Sequence, residues 1–256
     1  MSECTSDECL VILNYVIPAL GVVTAMSIQI APFQSVRNAQ STSSLDKINV
    51  LPFPFLCVNS LAWFFYGILV NDSFVIGPNL LGFNLALYYS LACYPLAKHA
   101  TQKLIQKILI GFCTYIMIGA FISFKVLHDA VPQAKTVLGL VCVSILIIFY
   151  SSPLSDMYNV IKKRDSSSID LLLALATFAN GSLWTIYGIA IADPFIWAPN
   201  AIGFLFSVIQ LVLLALFRKK NAAGATSIEE QATLRPSVLG HSVSQENIYE
   251  NLGAQH

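Results

Sequence analysis

Charged residues in this chain are gathered into clusters, and long stretches between the clusters carry almost none. The first such stretch covers Leu10–Gln34, and others follow at Ile48–Val70, Phe74–Ala97, Ile108–Phe124, Thr136–Tyr158, Leu171–Ala192 and Phe195–Phe217, with one acid, Asp156, near the end of the fifth. Each is about the 20 residues that an apolar helix needs to cross a bilayer. The apolar runs are continuous and lack the ~10-residue alternating segments of a membrane barrel. The pattern therefore predicts seven transmembrane helices. The second and third, and the sixth and seventh, are separated by only a few residues around Asp72 and Asp193, so each pair is expected to lie antiparallel and adjacent.

Composition agrees and narrows the class. Of the 256 residues, 56% are hydrophobic and 11% charged, with a mean hydropathy of +0.68. An ordinary soluble domain carries about 25% charged residues, so a single cytosolic globular domain is excluded. Fourteen basic residues balance fourteen acidic ones, and a neutral chain argues against a nucleic-acid partner. A signal peptide is not expected at the start, because the first apolar run is preceded by Glu3, Asp7 and Glu8 rather than by basic residues.

The distribution of the basic residues orients the bundle. Arg37, Lys47, Lys98, Lys103, Lys107, Lys162, Lys163, Arg164, Arg218, Lys219, Lys220 and Arg235 fall on one side, 12 of the 14, with Lys125 and Lys135 as the exceptions. The basic side is the cytoplasmic one, which places the N-terminus outside and the C-terminus inside. Residues 218–256 are rich in Ala, Ser, Gly, Glu, Gln and Asn. This segment has too little apolar surface to fold and is expected to be a disordered cytoplasmic tail; its Tyr249-Glu250-Asn251-Leu252 has the form of a sorting signal. Cys4 and Cys9 share the short outer arm and are placed to pair there. The other four cysteines lie within spans, and no zinc spacing occurs.

An internal repeat is the strongest feature. An offset of 121 residues carries Pro32 to Pro153, Trp63 to Trp184, Pro78 to Pro199 and Asn79 to Asn200 without a gap, and 11 of 25 positions are identical between residues 59–83 and 180–204. Membrane composition inflates matches among Leu, Ile and Phe but not among Asn, Trp, Asp and Pro. The chain thus divides into an outer arm (1–9), a first three-helix repeat (10–97), a linker helix with its loops (98–134), a second three-helix repeat (135–217) and the tail. Three helices per repeat would invert the second copy, and the odd linker helix restores its orientation. The expected fold is an all-α membrane protein of two parallel three-helix repeats in a 3+1+3 plan, an arrangement that puts sites at the repeat interface near the midplane.

Asn79 and Asn200 lie inside the third and seventh helices, each directly after a proline. An unsatisfied amide in hydrocarbon is costly, so both are expected to face the bundle interior. There they either tie helices together or offer donors and acceptors to an uncharged, hydroxyl-rich ligand. Trp63 and Trp184 precede Gly67 and Gly188 by one turn, and Asn59 and Asn180 lie one turn before the tryptophans on the same helix face. Pro32, Pro52 and Pro153 lie towards the cytoplasmic ends of the first, second and fifth helices, where a missing N–H permits a kink.

Over about residues 10–220 the sequence resembles the SWEET sugar transporters, also called the MtN3/saliva family. The resemblance rests on Pro32, Asn59-Ser60-Leu61-Ala62-Trp63-Phe64-Phe65-Tyr66-Gly67, Pro78-Asn79-Leu80-Leu81-Gly82, Ser152-Pro153-Leu154, Trp184-Thr185-Ile186-Tyr187-Gly188 and Asp193-Pro194-Phe195 leading to Pro199-Asn200, in that order and paired at one offset. It implies that Asn79 and Asn200 face a sugar in a central cavity, that Trp63 and Trp184 flank it, and that Asn59 and Asn180 lie close to the pocket. It further implies hinges at Pro32, Pro52 and Pro153 near an inner gate, and an outer gate closed by Tyr66 and Asp193. The family's fourth hinge proline is missing, since Leu172 and Leu173 stand in its place.

The expected activity is facilitated, bidirectional uniport of a mono- or disaccharide by alternating access, with no cofactor, no metal and no catalytic site. The partners are the sugar and membrane lipid. A proton-coupled carrier of the PQ-loop type shares the plan, but here Phe33 and Leu154 follow the two prolines where that type has Gln, and no acid occupies the middle of a span. A seven-helix receptor would have no reason to repeat its first three helices. The choice of sugar, the oligomeric state (a homo-oligomer included) and the choice between cell membrane and endomembrane stay open.

Overall fold

The computed structural model describes residues 7–45 and 48–217, with the backbone alone over 151–153. The tail, with Tyr249–Leu252, and Cys4 lie outside the described residues. Cys9 is disulfide-bonded. Seven helices are long and apolar enough to span a membrane: α1 (Asp7–Thr42), α2 (Pro52–Val70), α3 (Ser73–Leu96), α4 (His99–Val126), α5 (Val131–Lys163), α6 (Leu171–Ala190) and α7 (Pro194–Phe217). Among the described residues there is no strand.

Packing follows the repeat. Within each copy the two helices joined by a short turn form the closest pair, α2 with α3 and α6 with α7. Across the copies α1 packs on α6 and α5 packs on α2, the same contact exchanged between the repeats. The linker α4 lies against α2 and α5, and among the described residues no equivalent helix covers α6. The main buried cluster sits where the repeats meet and includes Val58, Trp63, Tyr66, Cys142, Ile145, Trp184 and Tyr187. The outer surface is apolar, with Ile110, Leu172 and Leu216 among its most exposed side chains, as a lipid-facing wall requires.

The helices overrun the uncharged stretches in several places. α1 is interrupted at Ala31 and Pro32, then resumes as a helix over Phe33–Thr42 that carries Arg37 beyond the apolar run. α4 starts at His99, nine residues before Ile108, and α5 runs on to Lys163. Charge marks where hydrocarbon ends, whereas a helix stops only where its backbone hydrogen bonds do. The prolines also differ from one another. Pro32 caps the second segment of α1, and α5 continues as a helix through Pro153. Pro52 is the first residue of α2, where the missing N–H would have had no intrahelical partner. The kink expected at Pro52 is therefore absent.

Glycines let helices within each repeat approach. A Cβ on Gly82 of α3 would stand 2.7 Å from the Gln29 amide, and one on Gly203 of α7 would stand 2.8 Å from the Tyr150 hydroxyl. Gln29 and Tyr150 are themselves 121 residues apart, so one notch is filled by two different polar side chains in the two copies.

Candidate functional site

The two short turns are built alike. Asn71 and Ala192 take left-handed conformations, with φ of 55° and 52°. Asp72 N–H donates to Gly67 C=O at 2.9 Å and Asp193 N–H to Gly188 C=O at 2.8 Å, which closes the preceding helix. Each aspartate then opens the next one. Asp72 Oδ1 accepts from Phe74 N–H at 2.9 Å, and Asp193 Oδ1 from Phe195 N–H at 3.0 Å. A carboxylate at a helix N-terminus is favoured by capping and by the helix dipole.

Those carboxylates also receive a tyrosine from the opposite repeat. The Tyr66 hydroxyl donates to Asp193, 2.8 Å from Oδ2 and 2.9 Å from Oδ1. The Tyr187 hydroxyl donates to Asp72 Oδ2 at 2.8 Å. Tyr66 corresponds to Tyr187 and Asp72 to Asp193 at the common offset, so the two bonds are one interaction made twice. Both tie α2 and α3 to α6 and α7, at the end of the bundle where the short turns lie.

The latches differ in charge. Lys135 of α5 places Nζ 2.9 Å from Asp193 Oδ2, and Asn14 stands at the equivalent position of α1. Asp193 is 2% exposed, whereas Asp72 is half-buried. Lys135, one of the two basic residues that broke the charge pattern, is thus engaged by a buried carboxylate. Its side chain is 32% exposed, so solvent screens part of its worth. Lys135→Met is expected to lower the melting temperature of the purified protein by about 2–4 °C. Lys125→Met, which removes no ion pair among the described residues, serves as the control; equal shifts in the two variants would leave the Lys135 pair without energetic weight.

Beneath the latches lie the tryptophans. Trp63 meets Tyr66 edge-on with ring centroids 5.4 Å apart, and Trp184 meets Tyr187 likewise at 5.9 Å. Both indoles are buried and belong to the single cluster between the repeats. Trp197, by contrast, is 38% exposed on the outer surface. Gly21 of α1 makes room for Trp184, since a Cβ there would stand 3.2 Å from its Cε2.

The asparagines are held differently from one another. Asn79 Nδ2 donates to Val75 C=O at 2.8 Å, and Asn200 Nδ2 to Ile196 C=O at 2.8 Å. Among the described residues no group donates to either Oδ1. Each amide is therefore fixed by one proton and keeps its carbonyl unengaged. Asn180 Oδ1 lies 3.1 Å from the Thr24 hydroxyl, whereas Asn59 Oδ1 is buried with no partner among the described residues. Pro32 and Pro52 lie at the opposite, basic end of the bundle, remote from these groups in the chain's path.

Sequence reasoning named Tyr66 and Asp193 but missed Tyr187, Asp72 and Lys135. The repeat held the signal for the first two, because shifting Tyr66 and Asp193 by one repeat length gives Tyr187 and Asp72. Lys135 has no basic counterpart and left no such trace. Among the described residues no cluster of His, Cys, Asp or Glu has the arrangement of a metal site.

This is a multi-pass membrane protein of the duplicated 3+1+3 type. A family model described as "sugar efflux transporter for intercellular exchange" (MtN3/saliva) matches residues 15–100 and again 136–222, two segments whose starts reproduce the internal offset. The sugar transporter SWEET1 of Rattus norvegicus is 34% identical over 187 residues, 70% of this chain and 79% of that protein. The bidirectional sugar transporter SWEET7 of Arabidopsis thaliana is 28% identical over 214 residues, 82% of this chain and 83% of that one. The 3.7 Å structure of a eukaryotic SWEET transporter superposes with a TM-score of 0.73 at 23% identity, covering 82% of this chain and 99% of that one. The chain belongs to the SWEET family.

Proposed function

We propose that this chain is a facilitative, bidirectional sugar transporter that moves mono- or disaccharides down their gradient by alternating access. The reading rests on family membership, and the observation that carries it is the pair Asn79 and Asn200. Each amide is held by its own helix and presents an unengaged carbonyl, which is the group a sugar hydroxyl needs. The indoles of Trp63 and Trp184 supply apolar faces for the ring C–H groups, and Asn59 adds an amide one turn from Trp63, with Asn180 at the equivalent place beside Trp184. Nothing in this set carries charge, which suits a neutral substrate.

The Tyr–Asp latches then act as the outer gate, with the short-turn end outside, the basic end cytoplasmic, and the break at Pro32 together with Pro153, inside the continuous α5, as inner hinges. Each latch bond is charge-assisted and contributes about 1.5–3 kcal/mol, part of which water restores as the gate opens. Asp156 lies within α5 but is exposed, and the other described acids lie at helix ends or in loops. A coupled carrier needs a titratable group in its path; the proposed layer offers Asn and Trp, which do not titrate.

Transport in sugar-uptake-deficient cells tests both parts. Radiolabelled glucose or sucrose is expected to enter and leave at comparable rates and to stop at equal concentrations, with little dependence on pH. Accumulation several-fold above the medium, collapsed by a protonophore, would reject uniport in favour of proton coupling. Failure to move either sugar, in a chain shown to reach the membrane, would reject the proposal that these are its substrates.

A further inference from the structure

The repeat symmetry also breaks at a second polar contact, away from the latches. The Thr24 hydroxyl of α1 lies 3.1 Å from Asn180 Oδ1 and 2.9 Å from its own Gly21 C=O, sharing one proton between two acceptors. When the two repeats are exchanged, Thr24 becomes Ile145 and Asn180 becomes Asn59. The helices concerned repeat the same packing, α1 on α6 and α5 on α2. Ile145 is fully buried in the cluster that also holds Val58 and Trp63, the neighbours of Asn59 along α2. Asn59 Oδ1 is buried and has no hydrogen-bond partner among the described residues.

A threonine hydroxyl both donates and accepts, so it satisfies an amide presented by either end. An isoleucine side chain satisfies neither. Asn180 is therefore a pinned amide, held across the repeat interface, and Asn59 is one whose polar end lacks its partner. An unpaired buried polar group is costly, and anything that supplies the missing hydrogen bond gains what the protein has left unmade.

We propose that Asn59 is the substrate-responsive amide of the pair, that Asn180 is structural, and that the Thr24/Ile145 difference sets these roles. A sugar hydroxyl entering between α2 and α5 supplies the bond that Thr24 supplies between α1 and α6. The ligand is thereby anchored towards the first repeat's Asn59, and the binding site is polar-asymmetric although the helices around it are duplicated. Ile145 is then a specificity-determining residue that acts by what it withholds. This deepens the proposed sugar-transport function and rests on it.

The test is to give Asn59 its partner. Ile145→Thr supplies a hydroxyl at the position equivalent to Thr24, and Ile145→Val has the shape of threonine without the hydroxyl. Both are measured for glucose and sucrose uptake in transport-deficient cells, with the amount at the membrane and the monodispersity of the purified protein checked for each. Ile145→Thr is expected to raise KM about 3- to 10-fold, the weight of one hydrogen bond now made internally, with the maximal rate retained. Ile145→Val, which adds no hydroxyl, is expected to raise KM less than Ile145→Thr does. Asn59→Ala should weaken apparent affinity more than Asn180→Ala.

Equal KM values for the threonine and valine variants, or a lower KM for threonine, would overturn the inference while leaving sugar transport intact. Should Ile145→Thr fail to fold, Asn59→Ala against Asn180→Ala decides alone, and an equal or larger loss at Asn180 would overturn it. A wild-type chain that moves neither sugar would instead overturn the function on which the inference rests.

Discussion

Asn79→Ala and Asn200→Ala are each expected to reduce sugar uptake more than tenfold while leaving the protein in the membrane at near wild-type amount. The expectation follows from how the two amides are held. Each spends one Nδ2 proton on the carbonyl four residues earlier in its own helix, and neither links one helix to another. Removing such a side chain releases only a local bond, and the freed carbonyl is still served by its backbone N–H. The fold therefore loses little. A bound sugar, by contrast, loses one of two matched acceptors, and hydrogen bonds that fix a ligand count for more than their net energy when they also set its orientation. Asn79→Asp, nearly the same shape but acidic, should also fail, since it puts a charge in a path built for neutral groups. Uptake close to wild type in both alanine variants would reduce the amides to packing; loss of protein from the membrane in both would make them structural.

How much of this was legible in the sequence depends on the kind of interaction. The seven spans are visible because the bilayer imposes one rule on all of them, and that rule acts through composition. The repeat is visible because both copies keep polar and helix-breaking residues that lipid alone would not select. The pairing of Tyr66 with Asp193 came only from family resemblance, yet its counterpart, Tyr187 with Asp72, is dictated by the offset once the first pair is accepted. Symmetry made that second latch readable from residues 121 apart.

What was hidden is where the copies differ. Lys135 and Asn14, Thr24 and Ile145, Gln29 and Tyr150 are equivalent positions carrying unlike side chains, so a search for repeated residues passes over them. Helix ends were hidden for another reason. The segments Phe33–Thr42 and His99 to Lys107 are amphipathic or polar helix outside the apolar runs, held by backbone bonds that hydropathy does not register. Pro52 shows the same limit. Its spacing in the sequence is that of a hinge proline, but whether a proline kinks a helix or begins one depends on the residue at which the helix starts, and Leu51 caps α2 immediately before it.

The asymmetry of the latches leads to the second large effect. Asp193→Ala is expected to disable the closed state at the short-turn end, and Asp72→Ala to weaken it only partly. Asp193 receives the Tyr66 hydroxyl, the Lys135 ammonium and the Phe195 N–H while nearly fully buried. Removing its carboxylate leaves a buried phenol without its acceptor and a partly exposed cation without its partner, a loss of about 2–3 kcal/mol once solvent screening of Lys135 is allowed for. Asp72 receives Tyr187 and two backbone N–H groups and is half-buried, so water replaces part of what is lost; its removal should cost about 1–2 kcal/mol. Cys142 is a native reporter of the difference, being fully buried in the cluster that contains Tyr66 and Trp63. With Cys57, Cys93 and Cys113 replaced by serine, a membrane-impermeant maleimide applied from the short-turn side should label Cys142 slowly in the wild type. Labelling should be slightly faster in Asp72→Ala, and at least tenfold faster in Asp193→Ala. Asp193→Asn should fall between the two aspartate-to-alanine variants, because an amide still accepts from Tyr66 but no longer neutralises Lys135. Equal labelling in the Asp72 and Asp193 variants would mean that Lys135 adds nothing to the gate; unchanged labelling in both would mean that the tyrosine–aspartate bonds do not hold it shut.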